Sequence, residues 1–153
     1  MDNSRIQELI NRYIRVSFSV TKKAEFLIKD QIGSDLTYDQ HYTLRYIRNK
    51  HFCTSTELAD VFAVNKSAVT AIIARLADKG LIERTRDERD RRVVYLSLTD
   101  KGNALFNECE KRVHNLVENI MTQFNDEEVN AFIQTYEKLE QLLDVAKESI
   151  QGE

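Results

Sequence analysis

The residues whose types and spacing could do chemistry lie between Thr54 and Arg92. Asp87-Glu88-Arg89-Asp90-Arg91-Arg92 is an unbroken charged run that mixes arginine forks with carboxylates. An arginine fork can enter a narrow minor groove, where crowded phosphates deepen the negative potential. A neighbouring carboxylate can set the direction of that fork beforehand. Alone, such a run is equally well a solvated tip whose ion pairs contribute little. Upstream, Lys66, Ser67, Ala68, Thr70, Ala71, Ala74 and Arg75 are small, hydroxylated or cationic and fall largely on one side of a helix. A helix that reads base edges needs such a face, because bulky side chains would hold it off the groove. Thr54, Ser55 and Thr56 place three hydroxyls where a helix begins, and there they can donate to phosphate oxygens. With Asn65 and Arg86, these residues form the expected duplex-DNA contact set: Thr54, Ser55, Thr56, Asn65, Lys66, Ser67, Ala68, Thr70, Ala71, Arg75, Arg86, Arg89, Asp90, Arg91 and Arg92.

The elements that must position them are legible in the same stretch. Thr54 with Glu57 fits a capping box, and Leu58, Val61 and Phe62 follow at helical spacing as an inward face. Asn65 is a good N-cap for a second helix whose stripe is Val69, Ile72, Ile73 and Leu76. Lys79-Gly80 ends that helix with a cation in the last turn and a residue able to take positive φ. Val94, Leu96 and Leu98 then alternate with Val93, Tyr95 and Ser97, the pattern of a half-buried strand. The order is helix, tight turn, helix and a two-stranded hairpin with a basic tip. That is a winged helix-turn-helix, a shape suited to duplex DNA.

Taken together and in order, Glu57-Leu58-Ala59, the helix ending in Asp78-Lys79-Gly80-Leu81-Ile82, the run Asp87 to Arg92, and Leu98-Thr99-Asp100-Lys101-Gly102 resemble the MarR family of bacterial transcription regulators. The likeness extends over nearly the whole chain. It implies a mainly α fold of about six helices with a hairpin wing, residues 36–98 forming the DNA-binding lobe and residues 1–33 and 100–153 the dimerisation helices. It also implies a homodimeric regulator, most often a repressor, with the wing arginine in the minor groove. Arg92 is the choice for that position, oriented by Asp90, with Arg91 and Arg89 on phosphates or the groove edge. Small aromatic or phenolic effectors bind in this family between the first two helices and the base of the DNA-binding lobe, which makes Tyr13, Phe18, His41, Tyr42 and Tyr46 pocket candidates. Peroxide-sensing members carry a reactive cysteine well inside the first helix. Here that region reads Tyr13-Ile14-Arg15-Val16, without one.

Composition narrows the alternatives. The chain has 153 residues, no proline and only 4 glycines, so long helices can run uninterrupted. No stretch approaches the ~18 uncharged apolar residues of a membrane span. No secretory signal is expected in Met1 to Ile10, and cytoplasm is the expected location. A net charge of −3 looks wrong for a DNA partner, but its distribution helps. From Asn65 to Arg92, 8 Lys/Arg against 5 Asp/Glu give +3, whereas from Val93 to Glu153, 5 against 12 give −7. Local field governs phosphate binding more than total charge does. The 3 histidines lack zinc spacings, though a composite site of His41, His114 and acids is conceivable. Cys53 and Cys109 read as small buried hydrophobes rather than sensors. No phosphate-binding glycine loop, nucleophile elbow or marked acid–base pair is present, so neither catalysis nor a cofactor is expected.

Outside the central stretch, Asn3 to Asp30 reads as a long helix closed by Gly33, with Ile6, Leu9, Ile10, Tyr13 and Ile14 recurring at three and four. Thr37 with Gln40 opens a helix to about Lys50, with Gln40, Thr43, Leu44 and Ile47 on one face and Tyr38, Tyr42 and Tyr46 on another. Thr99 caps a helix to about Gln123 whose face is Leu105, Cys109, Val113, Leu116, Val117 and Ile120. Asn125-Asp126-Glu127-Glu128 opens the last helix, through Val129, Phe132, Ile133, Tyr136, Leu139 and Leu143. These helices carry more apolar stripe than one small lobe can cover. A two-fold dimer would bury it and offer two recognition helices to a pseudo-palindromic operator with half-sites ~34–36 Å apart. The rival of another class is a winged-helix scaffold that binds protein, and thiol or metal sensing is the rival for the signal.

Overall fold

The absence of proline and the helical apolar spacing dictate long helices, and a computed structural model, described over residues 2–152, contains them. In order the elements are α1 (Asn3–Ile32), α2 (Tyr38–Lys50), β1 (Cys53–Thr54), α3 (Ser55–Phe62), α4 (Lys66–Asp78), β2 (Ile82–Arg86), β3 (Val94–Leu98), α5 (Asp100–Met121) and α6 (Asp126–Gln151). The three strands form one antiparallel sheet in the order β1-β3-β2. The expected hairpin is therefore joined by a third strand, Cys53–Thr54, set against Leu96 and Tyr95. Two residues carry no period-two signal, so β1 exists only through its partner.

Local signals place most helix ends. Thr37 and Gln40 form a reciprocal capping box, as do Asn125 and Glu128. Asn65 Oδ1 accepts from the Ala68 N–H at 3.0 Å, and Thr54 Oγ1 from the Glu57 N–H at 3.3 Å. The box expected at Thr54 is half formed: the Glu57 carboxylate lies 3.5 Å from the Thr54 hydroxyl. At the end of α4, Gly80 has φ 73°, with Gly80 N–H bonded to Ala77 O and Leu81 N–H to Leu76 O. That is a Schellman cap. The end of α3 repeats it without glycine: Ala63 sits at φ 52°, with the Ala63 N–H on Asp60 O and the Val64 N–H on Ala59 O. An L-residue there costs about 1–2 kcal/mol.

The chain divides into two compact units, residues 1–113 and 114–153. In the first, Leu44 and Ile47 of α2, Leu58 of α3, Val69, Ile73 and Leu76 of α4, Leu81, Leu96 of β3 and Phe106 and Cys109 of α5 form one buried core. Each fully buried aliphatic side chain contributes about 1.5–3 kcal/mol. The expected faces hold for Gln40, Thr43, Leu44 and Ile47 and for Val69, Ile73 and Leu76. Val61 departs from its expected inward place: it is exposed, and Ala59 is buried instead. An eight-residue helix takes its orientation from what it packs against, and here its small residue Ala59 meets the core. Phe106 was not part of the expected apolar face of α5, yet it is buried in the core.

The start of α5 is locked to the end of α4. Three successive carbonyls are taken in turn: Lys101 Nζ donates to Lys79 O at 2.9 Å, Thr99 Oγ1 to Gly80 O at 2.6 Å and the Thr99 N–H to Leu81 O at 3.1 Å. Thr99 Oγ1 also accepts from the Gly102 N–H at 3.0 Å, as an N-cap. A Cβ on Gly102 would lie 2.0 Å from Leu81 O, so the approach requires glycine. On the other side, Lys79 Nζ reaches Asp35 O and Gln40 Oε1, tying α4 to the start of α2.

In the second unit no residue of α6 is buried, and Phe132 and Tyr136 stack on each other at 5.1 Å while remaining more than half exposed.

Candidate nucleic-acid interface

The α3–α4 pair and the β2–β3 hairpin hold the contact residues expected from the sequence. Burying Val69, Ile73 and Leu76 leaves the other side of α4 outward, and Lys66, Ser67, Ala68, Thr70, Ala71 and Arg75 are all exposed. Thr70 Oγ1 donates back to Lys66 O at 2.7 Å, so its hydroxyl presents lone pairs outward rather than a proton. Thr56 is exposed at the start of α3, while Thr54 and Ser55 are half-buried and Thr54 is engaged in the cap. Asn65 is exposed, with its side-chain oxygen used for capping α4.

The wing tip is pre-set by carboxylates rather than merely solvated. Asp87 Oδ1 accepts from the N–H groups of Arg89 (2.8 Å) and Asp90 (3.0 Å), and Asp87 Oδ2 from the Tyr95 hydroxyl (3.3 Å). Those backbone donors hold Asp87 below the usual carboxylate range, and its charge in turn raises the Tyr95 phenol. Asp90 binds Arg92 with both oxygens, at 3.0 Å from Nε and 3.2 Å from Nη2, and also accepts the Arg92 N–H. The paired guanidinium holds Asp90 ionised. The Arg92 side chain is nevertheless 91% exposed, so a directed fork stands in solvent with N–H groups to spare. Arg86 Nη1 donates to Arg91 O at 2.8 Å and braces the loop, which gives it a supporting role as well as the expected contact role. Arg89 and Arg91 are exposed. Sequence reasoning missed Asp87 and Tyr95 as the frame of the tip. The signal was present in Asp87 itself, which can bond N–H groups two and three residues on.

The residues named as pocket candidates do not converge. Tyr13 and Phe18 lie exposed on α1. Tyr42, also exposed, meets Phe62 edge-on at 5.9 Å, and Tyr46 lies under Lys50 Nζ. His41 turns to the opposite face of α2, buried and stacked on Phe106 at 5.5 Å. Its Nε2 lies 3.5 Å from Glu110 Oε2, Glu110 also pairs with Arg45, and among the described residues neither His41 Nε2 nor Glu110 Oε2 has a hydrogen-bond partner. Burial lowers the imidazole pKa, outweighing the opposing pull of Glu110. Cys53 is buried and its thiol is pushed up to about 12, by desolvation first and by Glu57 second, and Cys109 is buried too. A thiol so far from its thiolate is a poor nucleophile at neutral pH. Among the described residues no three His, Cys, Asp or Glu gather to hold a metal, and no helix is long and apolar enough to cross a membrane.

A capped helix pair with a small polar outer face, followed by an arginine-tipped antiparallel wing, defines a winged helix-turn-helix protein of the DNA-binding class. The family model described as "MarR family" matches residues 36–94. The multiple antibiotic resistance protein MarR of Salmonella typhimurium is 33% identical over 109 residues, covering 69% of this chain and 76% of that protein. The HTH-type transcriptional repressor MdtR of Bacillus subtilis is 40% identical over 73 residues, 48% of this chain and 47% of the relative. A crystal structure of a mutant E. coli MarR complexed with operator DNA matches with a TM-score of 0.76 at 28% identity, covering 85% of this chain and 94% of that one. The chain belongs to the MarR family and is a transcriptional regulator that binds DNA.

Proposed function

We propose that the chain acts as a homodimeric repressor on a pseudo-palindromic operator, released by a small aromatic or phenolic ligand. Residues 36–98 serve as the DNA-binding lobe, and residues 1–33 and 100–153 supply the helices of the dimer. Lys66, Ser67, Ala68, Thr70, Ala71 and Arg75 face the major groove from α4, with Asn65 at its amino end. Arg92 enters the minor groove, Arg86, Arg89 and Arg91 lie along the phosphates, and Thr54, Ser55 and Thr56 meet phosphate at the amino end of α3. The similarity to MdtR, a repressor, supports the direction of control. A DNA-binding regulator of this kind would work in the cytoplasm.

The observation that carries this reading is the exposed Arg92 fork held by both oxygens of Asp90. An arginine fixed in this way has already lost rotamer freedom, so less is lost on entering a groove. A protein-binding scaffold would need aromatic anchors on the outer face of α4, and that face offers Ser67, Thr70 and Ala71 instead. Arg92→Ala is expected to weaken operator binding and to flatten its dependence on salt by about one phosphate-equivalent. The measurement is a salt series of gel shifts or anisotropy titrations on the promoter of the protein's own gene, with and without a salicylate-like aromatic. An unchanged affinity and slope would remove Arg92 from the interface.

A further inference from the structure

One residue touches both ends of the reading unit. Tyr95 lies on the central strand, opposite Thr54 of β1 and Thr85 of β2. Thr54 is also the residue that caps α3. Strand alternation sends the neighbouring Leu96 into the core and sets Tyr95 on the other face. There its ring meets Phe52 edge-on at 5.8 Å, and its hydroxyl donates to Asp87 Oδ2 at 3.3 Å. The other oxygen of that carboxylate accepts the Arg89 and Asp90 N–H groups. The loop is closed behind them by the Asp87 N–H on Val93 O at 2.9 Å and the Val93 N–H on Asp90 O at 3.0 Å. Contacts therefore run without a break from the cap of α3, through Tyr95 and Asp87, to Asp90 and the Arg92 fork.

We propose that Tyr95 is a positioning residue for DNA recognition: it sets the separation between the start of α3 and the Arg92 fork. That separation decides which spacing of phosphate and minor groove the chain accepts. The role rests on the contact reading above, in which Thr54 meets phosphate and Arg92 enters the groove. Two carboxylates divide the work at the wing tip. Asp90 fixes the direction of the fork within the loop, whereas Asp87 fixes the loop on the sheet, and only Asp87 is tied to Tyr95. A hairpin tip held by its strands alone must be ordered on binding, and a tie made beforehand removes that cost. Tyrosine suits the task, with an apolar body to pack on Phe52 and a polar end to reach the carboxylate. Its hydroxyl proton is committed to Asp87, so Tyr95 acts through Arg92 rather than on the DNA.

Tyr95→Phe removes the tie and keeps the ring against Phe52, so the melting temperature is expected to stay unchanged. The full chain, Tyr95→Phe, Arg92→Ala and the double variant are titrated against the promoter of the protein's own gene in a salt series. Tyr95→Phe should weaken binding about 5-fold, the value of one neutral hydrogen bond. Its salt slope should match wild type, because no cation is lost, whereas Arg92→Ala flattens the slope by about one phosphate-equivalent. The double variant should bind no more weakly than Arg92→Ala alone, since the hydroxyl has no other route to the DNA. In amide NMR of the free chain, the Arg89 and Asp90 signals should move in Tyr95→Phe as the Asp87 carboxylate is released. Unchanged affinity in Tyr95→Phe, a flattened slope, losses that add in the double variant, or unmoved amides would each overturn the role. Arg92→Ala weakening binding while Tyr95→Phe does not removes Tyr95 alone. Arg92→Ala binding like wild type removes the minor-groove reading, and the role of Tyr95 with it.

Discussion

At the scale of single residues, the chain repeatedly uses a carboxylate to hold a cation in place. Asp90 aims Arg92 and Glu110 holds Arg45, while His41 is kept beside Glu110 but buried in neutral form against Phe106. The last contact has a consequence for pH. An imidazole whose folded-state pKa is lowered binds fewer protons than it does unfolded, where the value is 6.5. Stability is then complete above 6.5 and declines as pH falls from there toward the folded-state value. Glu110 and Arg45 are the charged groups facing this imidazole, and their opposing effects leave burial in control. His41→Gln should therefore flatten the acid limb of a urea-midpoint series just below pH 6.5, by at most about 1.4 kcal/mol per pH unit. Parallel limbs in the two proteins would show that His41 titrates alike folded and unfolded.

At the scale of elements, two turns of the reading unit depend on positive φ in opposite ways. Gly80 suits its turn, while Ala63 occupies the equivalent place after α3 with a side chain. Ala63→Gly is expected to stabilise the chain by about 0.5–1 kcal/mol, a rise of a few degrees in a calorimetric scan. Gly102 presents the contrary case, because its Cβ would meet the Leu81 carbonyl at 2.0 Å. Gly102→Ala must push α5 off the α4 cap and open the Thr99 and Lys101 contacts, a loss of roughly 3 kcal/mol or more. If both substitutions were neutral, the tight turn and the α4–α5 lock would not have the geometry described.

Sequence patterns made much of these elements legible. Thr37, Asn65, Thr99 and Asn125 each cap the helix expected of them, because a cap is a contact over three residues. The charged tip was also legible, since Asp87 to Arg92 is contiguous. Val61 was misplaced and β1 unseen for one shared reason: an eight-residue helix and a two-residue strand are oriented by what they pack on.

At the scale of the whole molecule, the exposed apolar surface is the main unanswered demand. Leu9, Ile10, Tyr13 and Ile14 of α1, and separately Phe132, Tyr136, Leu142 and Leu143 of α6, are each at least 40% exposed. Apolar surface on that scale marks a binding face. In the proposed dimer a second copy of the chain is the cover, and that pairing would give operator binding a two-fold symmetry. Sedimentation equilibrium should return twice the chain mass. Leu143→Glu or Ile14→Glu should shift that mass toward the single chain and lower operator affinity, since each half-site would then be bound alone. A wild-type chain that sediments alone would leave the apolar faces without an owner and end the dimer proposal.

What the sequence determined by itself is whatever acts over short separations along the chain. Helix lengths, most caps, the outward polar face of α4 and the arginines of the wing all follow from periodicity and neighbour chemistry. Only the tertiary structure decided the contacts between distant positions. Arg45 meets Glu110 across 65 residues, Lys79 meets Gln40 across 39, and Thr99 meets Gly80 across 19. It also set β1 against β3 and buried Phe106 beneath His41. Such meetings depend on how completed helices and strands close on one another, and no local spacing encodes them, because the residues involved share no turn, period or cap.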